Sequence, residues 1–163
     1  MTDRVPRLFI AGTLLVALIL DLFELPYFLA VVRPLWVPLV LTYWAMSLPQ
    51  PTGLMTAWVV GLLMDVLLGS VLGQHALGLT ILVFVVLQVR SVLTMFPVWQ
   101  EALALTLVWL MYAFIMFWID GATGHQADPW MRWLPVISTS AAWPLVIVTL
   151  NASRRGAVAE SHL

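Results

Sequence analysis

Apolar residues run through this chain in six blocks, each separated from the next by a few turn-forming or charged positions. The blocks cover residues 8–22, 34–48, 53–72, 76–96, 102–119 and 134–150. Between them stand Leu48-Pro49-Gln50-Pro51, Gly73-Gln74-His75, Phe96-Pro97 and a longer stretch over residues 121–133. Residues 81–87 are apolar without a break. That suits a helix in apolar surroundings and not a barrel strand, whose inward and outward residues alternate. A membrane-crossing helix needs about 20 apolar residues, because the hydrocarbon core is about 30 Å thick and each residue rises about 1.5 Å. The pattern therefore predicts an all-α integral membrane protein, one polytopic domain of six transmembrane helices. The short links make successive helices antiparallel.

The second block is irregular. Its fifteen residues reach about 22 Å as a helix. Pro38 removes one backbone hydrogen bond. This span is expected to be short or broken, with residues 25–32 as an interfacial or re-entrant piece covered by protein.

Composition narrows the function classes. Of 163 residues, 63% are hydrophobic and only 9% charged, and mean hydropathy is +1.02. A soluble domain is about a quarter charged, so a soluble enzyme, a nucleic-acid-binding domain and a disordered region are excluded. A net charge of −1 leaves no basic face for nucleic acid. With no cysteine there is no disulfide and no thiolate metal site. The cations are seven Arg and no Lys. Placing both termini in the cytoplasm puts Arg4, Arg7, Arg90, Arg154 and Arg155 inside and Arg33 and Arg132 outside, the bias that orients membrane helices. Arg4 and Arg7 precede an apolar block as in a signal sequence, but Asp21 and Glu24 follow it in place of a small-x-small cleavage site. The first span is read as uncleaved, and residues 152–163 as a short frayed tail.

Asp65 falls inside the third block. A carboxylate near a helix centre in lipid costs about 2.5–3.5 kcal/mol and needs a partner, a proton or a wet pocket. Ala57, Gly61, Asp65, Gly69 and Gly73 recur every four positions, which predicts one small-residue helix face turned into the bundle. Asp65 on that face is a polar clamp, a proton or solute site, or a contact with a partner subunit. Arg33 enters from the same side at a matching depth, and its long stem snorkels, so Arg33 either forms an ion pair with Asp65 or anchors at the lipid headgroups. Asp21 and Glu24 close the first span and are read as solvated. Trp36, Trp99, Trp130 and Trp133 lie near span ends as an aromatic belt. Trp44, Trp58, Trp109, Trp118 and Trp143 lie deeper and are expected between helices. Ser138, Thr139 and Ser140 are read as the small polar face of a helix–helix contact. The three His are scattered, so no metal site is expected. No nucleophile elbow, zinc-protease motif or phosphate loop occurs.

One order of residues is specific. Arg33-Pro34-x-Trp36 opens a short span that Tyr43-Trp44 and Leu48-Pro49 close. Then come Gly61-Leu62-Leu63-Met64-Asp65-Val66-Leu67-Leu68-Gly69-Ser70, Leu72-Gly73 and Ala76-Leu77, and later Trp99-Gln100 and Phe117-Trp118. Over essentially the whole chain this resembles the rod shape-determining MreD family of Gram-negative bacteria. The resemblance implies an inner-membrane protein of the cell-wall elongation machinery, without enzymatic activity or cofactor. It implies pairing with MreC, and through it a link from MreB filaments to RodA and its penicillin-binding transpeptidase. It also implies a fold similar to the S components of energy-coupling-factor transporters, six helices around an outward pocket. Arg33, Pro34, Trp36, Ala57, Gly61, Asp65, Gly69 and Gly73 are the structural or partner-interface candidates. The third-span face and the outer loop over residues 121–133 are the expected partner or pocket surfaces. The competing function is an S-component-like subunit that binds a small molecule or a lipid. Few interior polar groups beyond Asp65 and Gln88 are available for a polar solute.

Overall fold

The computed structural model of the chain describes residues 7–23, 26, 32–50, 52–124 and 129–160, and of residues 129–132 and 157–160 the backbone alone. Those residues form six helices and no strand: α1 Arg7–Leu22, α2 Trp36–Ser47, α3 Leu54–Leu68, α4 Gln74–Leu93, α5 Val98–Thr123 and α6 Pro129–Glu160. The re-entrant piece expected at residues 25–32 lies largely outside the described residues.

The bundle is built around α2. From Val37 to Met46 every residue of this helix is buried. A helix that is apolar on all sides is stable only where neighbours surround it, and here they do. α1, α4 and α6 pack against it, and α5 completes the ring by packing on α4 and α6. α3 lies mainly on α4, while α1 touches α3 only lightly. Twelve residues give α2 a length of about 18 Å, and neighbours rather than lipid cover it. Pro38 is harmless, contrary to the sequence expectation. It sits in the first turn of α2, where a backbone N–H has no partner within the helix to lose.

Three indoles fill the centre. Trp44, Trp109 and Trp143 are at most 1% exposed, and Trp109 meets Trp143 edge to face at 5.6 Å. Trp44 donates from Nε1 to Thr13 Oγ1 on α1 (2.9 Å), and Trp109 donates to Thr42 Oγ1 on α2 (3.2 Å). A buried indole N–H otherwise loses its hydrogen bond to water. Trp58 and Trp118 depart from expectation. They are 48% and 72% exposed and point away from the bundle. Each lies on the outward face of a peripheral helix, where a period of 3.6 decides direction and depth along the chain does not.

The outer surface is as apolar as the core. Met55, Val66, Leu103, Leu107, Ile137 and Val148 are each more than 60% exposed. Water does not tolerate a contiguous apolar coat of this kind, and hydrocarbon does. α4, α5 and residues Trp133–Gly156 of α6 are long and apolar enough to cross a membrane. α1 and α3, of 16 and 15 residues, reach about 24 and 22 Å. In α6, Pro135 and Pro144 interrupt the backbone ladder. The nearby hydroxyls hold the segment: Ser138 and Thr139 donate to the Pro135 carbonyl, and Ser140 meets Thr106 of α5 at 2.7 Å. The first two bond back onto the preceding turn, and the third ties α6 to α5.

Candidate functional site

α1, α3 and α5 run in the same direction, and each carries one buried aspartate near its C-terminal end. Asp21 is 7% exposed, Asp65 1% and Asp120 9%. The even-numbered helices run the other way and start at that same end. A helix start leaves N–H groups unpaired and carries a partial positive charge. In lipid such groups must find a partner within the protein.

Asp65 supplies that partner for α4. Its Oδ2 accepts from the backbone N–H of Gly73 at 2.8 Å and of Ala76 at 3.4 Å. Its Oδ1 accepts from the N–H of His75 and the hydroxyl of Ser70, both at 2.8 Å, and lies 2.9 Å from His75 Nδ1. The chain makes this local. α3 ends at Gly69, whose φ of +64° is the left-handed form that stops helices, and Gly73 turns the chain again at +96°. The turn is so tight that a residue in the last turn of α3 faces the first turn of α4. Gly61 permits the contact. A Cβ there would lie 2.3 Å from the Cα of Ala76 and 2.7 Å from the carbonyl carbon of His75, so no side chain fits.

Asp21 does the same for α2. It accepts from the N–H of Trp36 at 3.3 Å and of Val37 at 2.9 Å. Leu35, the residue before the helix, has no capping side chain of its own, and its N–H goes to Thr139 Oγ1 of α6 at 2.9 Å. Asp21 is thus buried and bonded, not solvated as its place at a span end suggested. Glu24 lies outside the described residues. Removing this cap is expected to weaken the α1–α2 corner. Asp21→Ala should lower stability in detergent by about 1–2 kcal/mol, read from the thermal midpoint, and an unchanged midpoint would count against the cap.

Asp120 lies within α5, because that helix continues past the predicted block end at 119 to Thr123 and ends on Gly124 at φ +76°. Its Oδ1 accepts from Gln74 Nε2 of α4 at 2.6 Å. The expected outer loop is therefore mostly helix, and His125 and Asp128 within it lie outside the described residues.

The Asp65–Arg33 pair is not formed. Arg33 Nη1 donates to the Phe23 carbonyl at 2.9 Å, and the acid whose field it shares is Asp21. Asp65 is already saturated by α4, so a distant guanidinium has no lone pair left to take. The five-residue stripe is also shorter than its spacing suggested. Gly61 and Asp65 face α4 and Ala57 is buried within the bundle, whereas Gly69 and Gly73 sit beyond the helix end, in the turn. Arg33 and Pro34 precede α2, and Trp36 is its first residue.

The chemistry open to this end is limited. Ser70 Oγ lies 3.2 Å from His75 Nδ1, the same nitrogen that faces Asp65. A proton relay needs the acid on one imidazole nitrogen and the hydroxyl on the other, and this order is absent. Among the described residues no three His, Cys, Asp or Glu gather as metal ligands. Sequence reasoning missed that all three acids serve a neighbouring helix. The available signal was a lone acid near the C-terminal end of each odd-numbered block, Asp21, Asp65 and Asp120.

The model for the rod shape-determining protein MreD matches residues 2–152. The chain belongs to the MreD family. The rod shape-determining protein MreD of Haemophilus influenzae (strain ATCC 51907 / DSM 11121 / KW20 / Rd) is 26% identical over 140 residues, covering 86% of each chain. No solved structure matches. Membership supports a role in rod shape determination, and with the apolar helices it makes this MreD-family chain a multi-pass membrane protein. The segment over residues 61–77 that carried the resemblance is the α3–α4 corner described above.

Proposed function

We propose that this protein is a non-catalytic membrane scaffold of the cell-wall elongation machinery. In this reading it sits in the bacterial inner membrane with both termini in the cytoplasm. It pairs with MreC, and through it links MreB filaments to RodA and its penicillin-binding transpeptidase. The observation that carries the reading is the family match over residues 2–152. The geometry is in keeping with a passive role, since each buried aspartate holds a neighbouring helix in place. Ala57, Gly61 and Asp65 are assigned to that internal work. Arg33, Pro34, Trp36, Gly69 and Gly73, at the end of the bundle where α2 and α4 begin, are assigned to partner contact. The carrier alternative gains little support, because two grooves of about 500 and 560 Å³ are lined almost wholly by apolar side chains and give a polar solute few orienting groups.

Depletion tests the proposal. A rod-shaped host that loses this protein should round up and should regain its shape with the same gene. Detergent-solubilised MreC should co-purify with it. Retained shape with failed uptake of one metabolite would favour the carrier instead.

A further inference from the structure

α1 and α3 lie side by side in parallel and touch lightly, leaving a groove of about 500 Å³ between them. Its walls are Ile10, Leu14 and Leu18 on one side and Val60, Leu63 and Leu67 on the other. Arg7 stands at one end, and among the described residues no carboxylate lies within ion-pair distance of it. From Arg7 to Leu18 the groove runs about 16 Å, about half the thickness of a bilayer core. Beyond Leu18 it closes. Between Leu18, Leu22, Met64 and Leu68 no water-sized space remains.

We propose that this groove holds one acyl chain of an anionic phospholipid whose phosphate is paired with Arg7. Three features select that occupant over a partner helix. The groove is one leaflet deep, where a crossing helix needs the full core. It is blind at its inner end, where a helix would have to continue. Apart from Ala11 and Thr56 its apolar walls are Ile, Leu and Val, which hold a second backbone away, whereas helices meet closely over stripes of small residues. Charge selects the headgroup. A guanidinium at the mouth forms paired hydrogen bonds to phosphate, and basic residues at the membrane surface favour anionic lipid. The second groove, about 560 Å³ between α1, α2 and α6, is lined by no charged residue and has no such preference.

The test is native mass spectrometry of the full chain with phosphatidylglycerol and phosphatidylethanolamine of identical acyl chains. The parent should retain the anionic lipid about five-fold better, the worth of one basic residue at a membrane surface. Arg7→Gln should bring the two lipids to parity, and Arg7→Lys should keep most of the preference. Ala11→Trp, at an exposed position inside the groove, should reduce retention of both while the protein still elutes as a folded species. Leu15→Trp provides a second way to fill the groove. Equal retention by the parent, or an undiminished preference in Arg7→Gln, would overturn the proposal. A photo-crosslinker at Leu15 that captures protein rather than lipid in cells would also overturn it. None of these readouts depends on cell shape, so failure here leaves the scaffold reading standing.

Discussion

Gly61→Ala should be the most damaging single methyl group that can be added to this protein. The new Cβ would sit 2.3 Å from Ala76 Cα and 2.5 Å from its backbone nitrogen. Both atoms belong to the first turn of α4, so no side-chain rotation relieves the overlap. α4 must shift as a unit, and its N–H groups then leave the Asp65 carboxylate. Overpacking costs about 1–3 kcal/mol where side chains can yield, and the loss here should reach or exceed the top of that range. The thermal midpoint in detergent and the recovery of a monodisperse peak report it. Gly12→Ala and Gly121→Ala are the matched controls. A Cβ at either site meets nothing within 4 Å, so both should gain up to about 1 kcal/mol from helix propensity. If Gly61→Ala melts with the controls, the close approach of α3 and α4 is wrong. The same geometry makes Gly61→Leu unsuitable as a probe of partner docking, because the bundle itself would open.

Much of the fold was legible because lipid imposes a coarse rule. Backbone groups must pair within a segment, so apolar blocks of this length become helices, and short links make neighbours antiparallel. The ends were less legible. The third block runs to residue 72 in hydropathy, but α3 stops at Leu68 because Gly69 adopts φ +64°. The fifth block stops at residue 119, but α5 carries Asp120 inward and continues to Thr123. Hydropathy cannot separate a buried, bonded acid from a solvated one, and this ambiguity also hid the burial of Asp21. The partner of Asp65 was misread for a related reason. A charge in lipid suggests an opposite charge across the bundle, yet a helix start offers several N–H donors at close range with no second ion to desolvate. The small-residue stripe was legible as a close approach, but spacing alone does not say whether the other backbone belongs to a partner or to the next helix of the same chain.

Asp65→Ala is the second large effect, and its pattern across variants separates the two readings of this residue. The substitution strips the acceptor from the N–H groups of Gly73, His75 and Ala76 and from the Ser70 hydroxyl, all at a site that is 1% exposed. Removing one side of a buried charged network costs about 3–5 kcal/mol, enough to leave most of a marginal bundle unfolded. Asp65→Asn keeps one acceptor oxygen and should fall between parent and Asp65→Ala. His75→Ala should cost less, about 1 kcal/mol, because the backbone N–H bonds to Asp65 survive it. Arg33→Ala combined with Asp65→Ala should add without coupling, since Arg33 bonds to the Phe23 carbonyl and independent sites add. An ion pair across the bundle makes the opposite demands: strong coupling between positions 33 and 65, rescue by exchanging the two charges, and little effect at His75. Urea or thermal melts of these variants, of Arg33→Ala alone and of the charge-swapped pair, read by intrinsic tryptophan fluorescence, distinguish the cases, and rescue by the swapped pair would refute the capping role assigned to Asp65.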